Sequence, residues 1–229
     1  MRVVVAGQKR FGRDVLALCA ARGYEIAAVS CPAHGDDKLW IEAQNRNLPV
    51  IPSGQFTADR MPRDVTLIVA AHCHDYISRK ARDRAELGAL GYHPSLLPRH
   101  RGRSAIEWAI RFGEPFTGGS CYWMNDVVDG GPVAAQDWCH IRRGDTAAEL
   151  WARELAPMGL RLFARVFDTL DEGVQLATEQ DRELATWEPA IDRVPPLWRP
   201  DVPRLGPSNF ERIEMRNAQA VPTASTADG

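Results

Sequence analysis

Apolar residues run along this chain in short blocks separated by polar turns, and the blocks differ in period. Arg2 to Gly7 (RVVVAG) is a β-branched run closed by glycine, the pattern of a strand covered on both faces. Gly7 to Gly12 reads as the turn into a helix. Val15, Leu16, Leu18 and Cys19 supply that helix's apolar face, and Gly23 stops it. Glu25 to Ser30 is a second buried strand. Strand, helix, strand opens a Rossmann-like unit with a right-handed crossover.

The alternation continues downstream. Asp36 to Asn45 predicts a helix with Trp40 and Ile41 turned inward, and Thr66 to Ala71 a buried strand. Ser78 to Ala85 reads as a charged helix and Gly88 to His93 as the next strand. Ser104 to Phe112 predicts a helix with Ser104 as its N-cap and Ile106, Trp108, Ala109 and Ile110 partly buried. Thr117 to Trp123 and Pro132 to Ile141 are strands on either side of an acidic turn. A helix starts at Gly144 to Ala147, with Asp145 near the positive end of its dipole, and runs to about Leu170. It should bury Leu150, Leu155, Leu160, Leu162 and Val166, and Pro157 should kink or split it. The fold class is therefore α/β: a Rossmann-like, mostly parallel twisted sheet flanked by helices, spanning 1–190. Five prolines between 195 and 207 forbid regular helix in the appendage, 191–229, and its small polar end predicts disorder.

Composition narrows the function classes. A hydrophobic fraction of 45% and a charged fraction of 25% are ordinary for a globular protein. A net charge of −2 gives no reason to expect strong binding of DNA or RNA. No apolar run of about 18 residues exists to span a membrane, and the N-terminus enters a strand pattern without the apolar core of a signal peptide. Five scattered cysteines show no CxxC or metal-ligand spacing, which fits a reducing cytoplasm.

The candidate chemistry lies between Tyr92 and Ala135. His93 precedes Pro94, which lacks an N–H and pushes His93 towards an extended conformation. That places the imidazole at a strand's C-terminal end, where open α/β sheets keep their ligands. A carboxylate beside it would orient the ring for proton transfer. Asp129, before Gly130-Gly131-Pro132, is the better candidate, and Asp126 the fallback. Gly7 and Gly12 do not complete the G-x-G-x-x-G of a dinucleotide site. His72, His74 and Asp75 lack the further ligands a metal would need.

HPSLLP followed by RHRG, with an Asp-Gly-Gly-Pro turn downstream, resembles the folate-dependent formyltransferases, which act on glycinamide ribonucleotide, methionyl-tRNA and amino sugars. The string YHPSLLPRHRG, with Ser-Ala-Ile and a Trp after it, is most similar to the hydrolase domain of 10-formyltetrahydrofolate dehydrogenase. The likeness covers residues 1–190 at varying strength. It implies 10-formyltetrahydrofolate as cosubstrate, no metal, and His93 with Asp129 as the catalytic pair. It implies cofactor contacts from His74, Asp75, Tyr76 and Ile77 and from Asp126, Val127, Val128 and Gly130. Lys9, Arg10, Gly91, His100 and Arg101 would lie towards the acceptor. The family's catalytic trio also contains an Asn two residues before the His; here that position is Gly91. Losing one oxyanion donor can cost ~10²–10³ in rate, and the dehydrogenase's hydrolase domain also lacks this Asn. Transfer to an unidentified amine is the expected function. Hydrolysis to formate and a catalytically degenerate folate-binding protein are the alternatives. The missing tRNA-binding domain and basic face argue against tRNA, and the sequence does not speak to oligomeric state.

Overall fold

The computed structural model describes residues 1–193. Nearly all of the Pro-rich appendage expected at 191–229 lies outside the described residues. Strands β1 (Arg2–Gly7), β2 (Glu25–Cys31), β3 (Val50–Pro52), β4 (Leu67–Ala71), β5 (Ala89–His93), β6 (Phe116–Trp123) and β7 (Val133–His140) form one sheet in the order β3-β2-β1-β4-β5-β6-β7. The first five strands in that order pair in parallel, and β6 and β7 are antiparallel. The chain steps outward from β1 to β3, then returns to the other side of β1 with β4. The switch point of the topology therefore lies between β1 and β4, where such sheets open a crevice. Gly7 closes β1 so near to β4 that a Cβ there would sit 2.0 Å from the Ala71 carbonyl oxygen.

Alternate residues of the central strands enter two cores, as strands buried on both faces require. Val3 and Val5 pack with Phe11, Val15 and Leu16 of α1 (Lys9–Ala21) and Phe163 and Phe167 of α6 (Ala156–Asp171). Val4, Ala6, Ile68 and Ala70 pack on the opposite face with Phe56, Met61 and Ile77.

Several local expectations shift. Helix α1 already begins at Lys9, so Gly12 lies inside it; a Cβ there would meet Leu39 at 2.9 Å. Helix α2 (Lys38–Asn45) buries Leu39 and Ala43, while Ile41 is exposed and Trp40 half-buried. Asp37 starts this helix, its carboxylate accepting the Leu39 and Trp40 N–H groups at 3.0 Å each. The charged helix is a single turn, α3 (Arg79–Arg82). Ser104 precedes α4 (Ala105–Arg111) in a left-handed conformation and does not cap it. Asp145, just before the N-cap, accepts from Arg153 Nη1 and Nη2 at 2.7 Å each, while Thr146 and Glu149 form the capping box of α5 (Ala147–Leu150). The long helix is split as Pro157 requires. A π-helical turn, Trp151–Leu155, separates α5 from α6.

Candidate active site

Strand β5 delivers the site. Its side chains alternate, so Tyr92 points into the helical core, where its hydroxyl donates to the Leu155 carbonyl at 2.7 Å. Gly91 and His93 share the other face, opposite Tyr122 and Ser120 of β6. His93 is buried, and its Nε2 lies 2.7 Å from the His100 carbonyl oxygen. A carbonyl only accepts, so Nε2 carries a hydrogen, and Nδ1 is the nitrogen left for proton exchange. Nδ1 faces Asp129 Oδ2 at 3.6 Å. Such pairs are often long without substrate and tighten with it.

Asp129 sits at φ +50°, a left-handed conformation that aspartate tolerates better than most residues. Three remote groups hold it there. Its Oδ1 accepts from the Tyr122 hydroxyl at 2.6 Å, its Oδ2 accepts from the Gly102 N–H at 2.7 Å, and its carbonyl accepts from Gln180 Nε2 at 2.8 Å. Gln180 also donates to the Gly131 carbonyl and accepts from Arg101, so one amide fastens both the acidic turn and the basic loop. Asp126 is not the partner of His93. It is ion-paired with Arg79 and Arg82, which ties the acidic turn to α3.

The loop that supplies the His100 carbonyl and the Gly102 N–H is clamped from behind by the segment around 186–189. Thr186 accepts the His100 and Arg101 N–H groups through its hydroxyl and its carbonyl. His100 was expected at the rim, with Arg101. Its ring is instead 1% exposed, between Glu114 at 3.0 Å and Glu188 at 3.1 Å. Burial alone would lower its pKa, but the hydrogen bond with Glu114 and the charges of both glutamates outweigh burial and raise it to about 9. It is a charged buried hub and not an acceptor contact.

The remaining candidates divide. Tyr76, Val127 and Val128 are exposed on the two loops beyond β4 and β6, and Gly130 is half-buried beside Val127. Ile77 is buried in the second core, and Asp75 is spent on the Gly54 N–H at 2.9 Å. Lys9 gives its N–H to Asp37 at 2.7 Å, and Arg10 is a surface residue paired with Asp14. Burial, then the charges of His74 and Lys9, push His72 down to about 4. Burial, then Arg103 and Lys9, lowers His74 as well. Both rings are therefore neutral hydrogen-bonding groups at neutral pH. Among the described residues no cluster of three His, Cys, Asp or Glu side chains could hold a metal ion. Tyr122, Gly102 and Gln180 are the site residues that sequence reasoning missed.

Fold and site together define an α/β protein with a Rossmann-like sheet, an imidazole–carboxylate pair at the C-terminal end of β5 and no dinucleotide loop. Comparison with known proteins narrows the class. Residues 1–166 match the formyl transferase family model. The mouse cytosolic 10-formyltetrahydrofolate dehydrogenase is 31% identical over 201 residues, which are 82% of this chain and 22% of that protein. The chain therefore spans about a fifth of the length of those curated relatives. GDP-perosamine N-formyltransferase of Brucella melitensis is 29% identical over 180 residues, 75% of this chain and 69% of that one. Two solved structures share the fold. An N-formyltransferase from Helicobacter canadensis, in complex with folinic acid and dTDP-3-aminofucose, has a TM-score of 0.70 at 15% identity, covering 85% of this chain and 72% of that one. Phosphoribosylglycinamide formyltransferase from Bacillus halodurans has a TM-score of 0.64 at 21% identity, covering 77% and 99%. The chain belongs to the formyl transferase family.

Proposed function

We propose that this protein moves a formyl group from 10-formyltetrahydrofolate to the amine of a small anionic acceptor. The observation that carries the reading is the His93–Asp129 pair, with the exposed Tyr76, Val127 and Val128 on the adjoining loops as surface for a pterin and its aryl tail. The acceptor nitrogen attacks the formyl carbon, a C–N bond forms, and the bond to N10 of the folate breaks. The amine loses a proton and N10 gains one, so no proton is consumed overall. His93 Nδ1 and Asp129 exchange that proton, while the Nε2 hydrogen bond to the His100 carbonyl keeps the ring oriented. No metal enters this scheme.

The acceptor is read as anionic because Lys9 and Arg103 both bias the protonation of His74 at the mouth of β4. Related proteins whose names specify nucleotide-linked amino sugars support a small molecule as acceptor. A cytoplasmic setting fits the five free cysteines. Among the described residues no helix is long and apolar enough to cross a membrane.

The test is incubation with 10-formyltetrahydrofolate and a panel of amines, both nucleotide-linked or phosphorylated and uncharged. Tetrahydrofolate release and formylated product by mass spectrometry are read together. Formylation of an anionic amine is expected. Stoichiometric formate release without formylated amine, or turnover confined to uncharged amines, would overturn the reading.

A further inference from the structure

The family's amide position is empty here, but the space is not. A Cβ built on Gly91 would lie 3.1 Å from Tyr122 Cε1, 3.3 Å from its Cζ and 3.1 Å from the Met124 methyl. The ring of Tyr122 therefore lies over the position where a side chain at 91 would start. Tyr122 stands directly across from Gly91 in the β5–β6 pairing, so the two positions compete for one volume. Tyr122 is 4% exposed, and its hydroxyl ends on Asp129 Oδ1 at 2.6 Å. With Oδ1 and Oδ2 bonded to Tyr122 and Gly102, the carboxylate cannot rotate without losing both bonds.

We propose that Tyr122 is a positioning residue of this active site. It occupies the room released by glycine at 91 and holds the Asp129 carboxylate in register with His93 Nδ1. The inference rests on the formyl-transfer reading above. Burial, then the charge of Asp129, pushes the phenol well above its ordinary pKa, so it remains a donor throughout the physiological range. The requirement for glycine follows from the same geometry. A methyl at 91 would have to displace the ring by a few tenths of an ångström, and the ring carries the hydroxyl away from Oδ1.

Tyr122→Phe keeps the ring and removes one hydrogen bond to a carboxylate. It should lower kcat for tetrahydrofolate release by ~10- to 100-fold, with KM for 10-formyltetrahydrofolate and the affinity for 5-formyltetrahydrofolate unchanged. Gly91→Ala, which retains the hydroxyl but shifts it, should lower kcat too. In the Tyr122→Phe background, Gly91→Ala should then add far less than it costs alone, because the two act through one contact. The amine that supports turnover in the panel above is the acceptor. If Tyr122→Phe and Gly91→Ala both keep wild-type kcat, or if their losses multiply, the positioning role is overturned. Equal losses in kcat and in 5-formyltetrahydrofolate affinity would overturn it as well, by pointing to general distortion. The formyl-transfer reading survives those outcomes provided His93→Ala is inactive. A wild-type protein that neither binds folate nor releases tetrahydrofolate overturns both.

Discussion

Raising the pH should loosen this active site from behind, through His100. The ring is buried against Glu114 and Glu188 and titrates at about 9, against 6.5 in an unfolded chain. A group whose pKa rises on folding stabilises the fold fully below its unfolded value and loses that contribution as pH passes its folded value. The contribution of His100 is therefore complete below pH 6.5 and gone above about 9. At ~1.4 kcal/mol per unit, less some screening because Glu114 is partly exposed, it amounts to ~2–3 kcal/mol. For a domain of this size that is roughly 5–10 °C in Tm. Burial pushes Cys19, Cys31 and Cys73 up to about 12 and Cys139 to about 11, so above about 8.5 these thiols ionise only in the unfolded chain and lower stability in every variant alike; the difference between wild type and Glu188→Gln isolates His100. The assay is a series of thermal melts between pH 6 and about 9.5 on wild type and Glu188→Gln. Wild type should lose stability across the window, and Glu188→Gln should show a visibly shallower loss, having one carboxylate fewer beside the ring. A flat wild-type profile, or equal slopes in both proteins, would refute the hub.

Three further outcomes follow from the packing. Gly102→Ala, at φ +91° with its Cβ only 3.0 Å from the Trp187 ring, should displace the N–H that Asp129 accepts and lower kcat with little effect on folate affinity. Phe163→Ala empties a fully buried position between the sheet and α6 and should cost ~3–5 kcal/mol in a denaturant titration, without changing the denaturant slope. Gln180→Ala releases both the Asp129 carbonyl and Arg101, and should lower turnover while the melting temperature falls only slightly.

The β-branched runs of β1, β2 and β4 were legible because each is buried on both faces, and that burial writes itself as continuous apolar sequence. His93 and Asp129 were legible through their neighbours, Pro94 and Gly130-Gly131, which report backbone geometry. Asp129 and Asp126 are told apart only in space: Asp129 faces His93 and accepts from the Gly102 N–H, while Asp126 is paired with the two arginines of α3. His100 misled because a basic loop reads as solvated, whereas its two carboxylate partners arrive from 14 and 88 residues away. Tyr122 was read only as a strand residue. Nothing in the β6 sequence says that its ring lies across from a glycine and that its hydroxyl reaches back to the turn. The inward face of α2 was misjudged because the buried stripe runs through Leu39 and Ala43, four residues apart, which leaves Trp40 at its edge and Ile41 outside it.

Formyl transfer as proposed requires His93 and Asp129 to act together on the formyl carbon. Its most direct test is the single-turnover rate of tetrahydrofolate formation from 10-formyltetrahydrofolate in wild type, His93→Ala, Asp129→Asn and the double variant, with 5-formyltetrahydrofolate affinity measured alongside. Each single variant should fall ~10²–10⁴-fold, the double variant should be scarcely slower than the worse single, and folate affinity should hold. Near-wild-type rates in either single variant would show that the pair does not act on the formyl carbon.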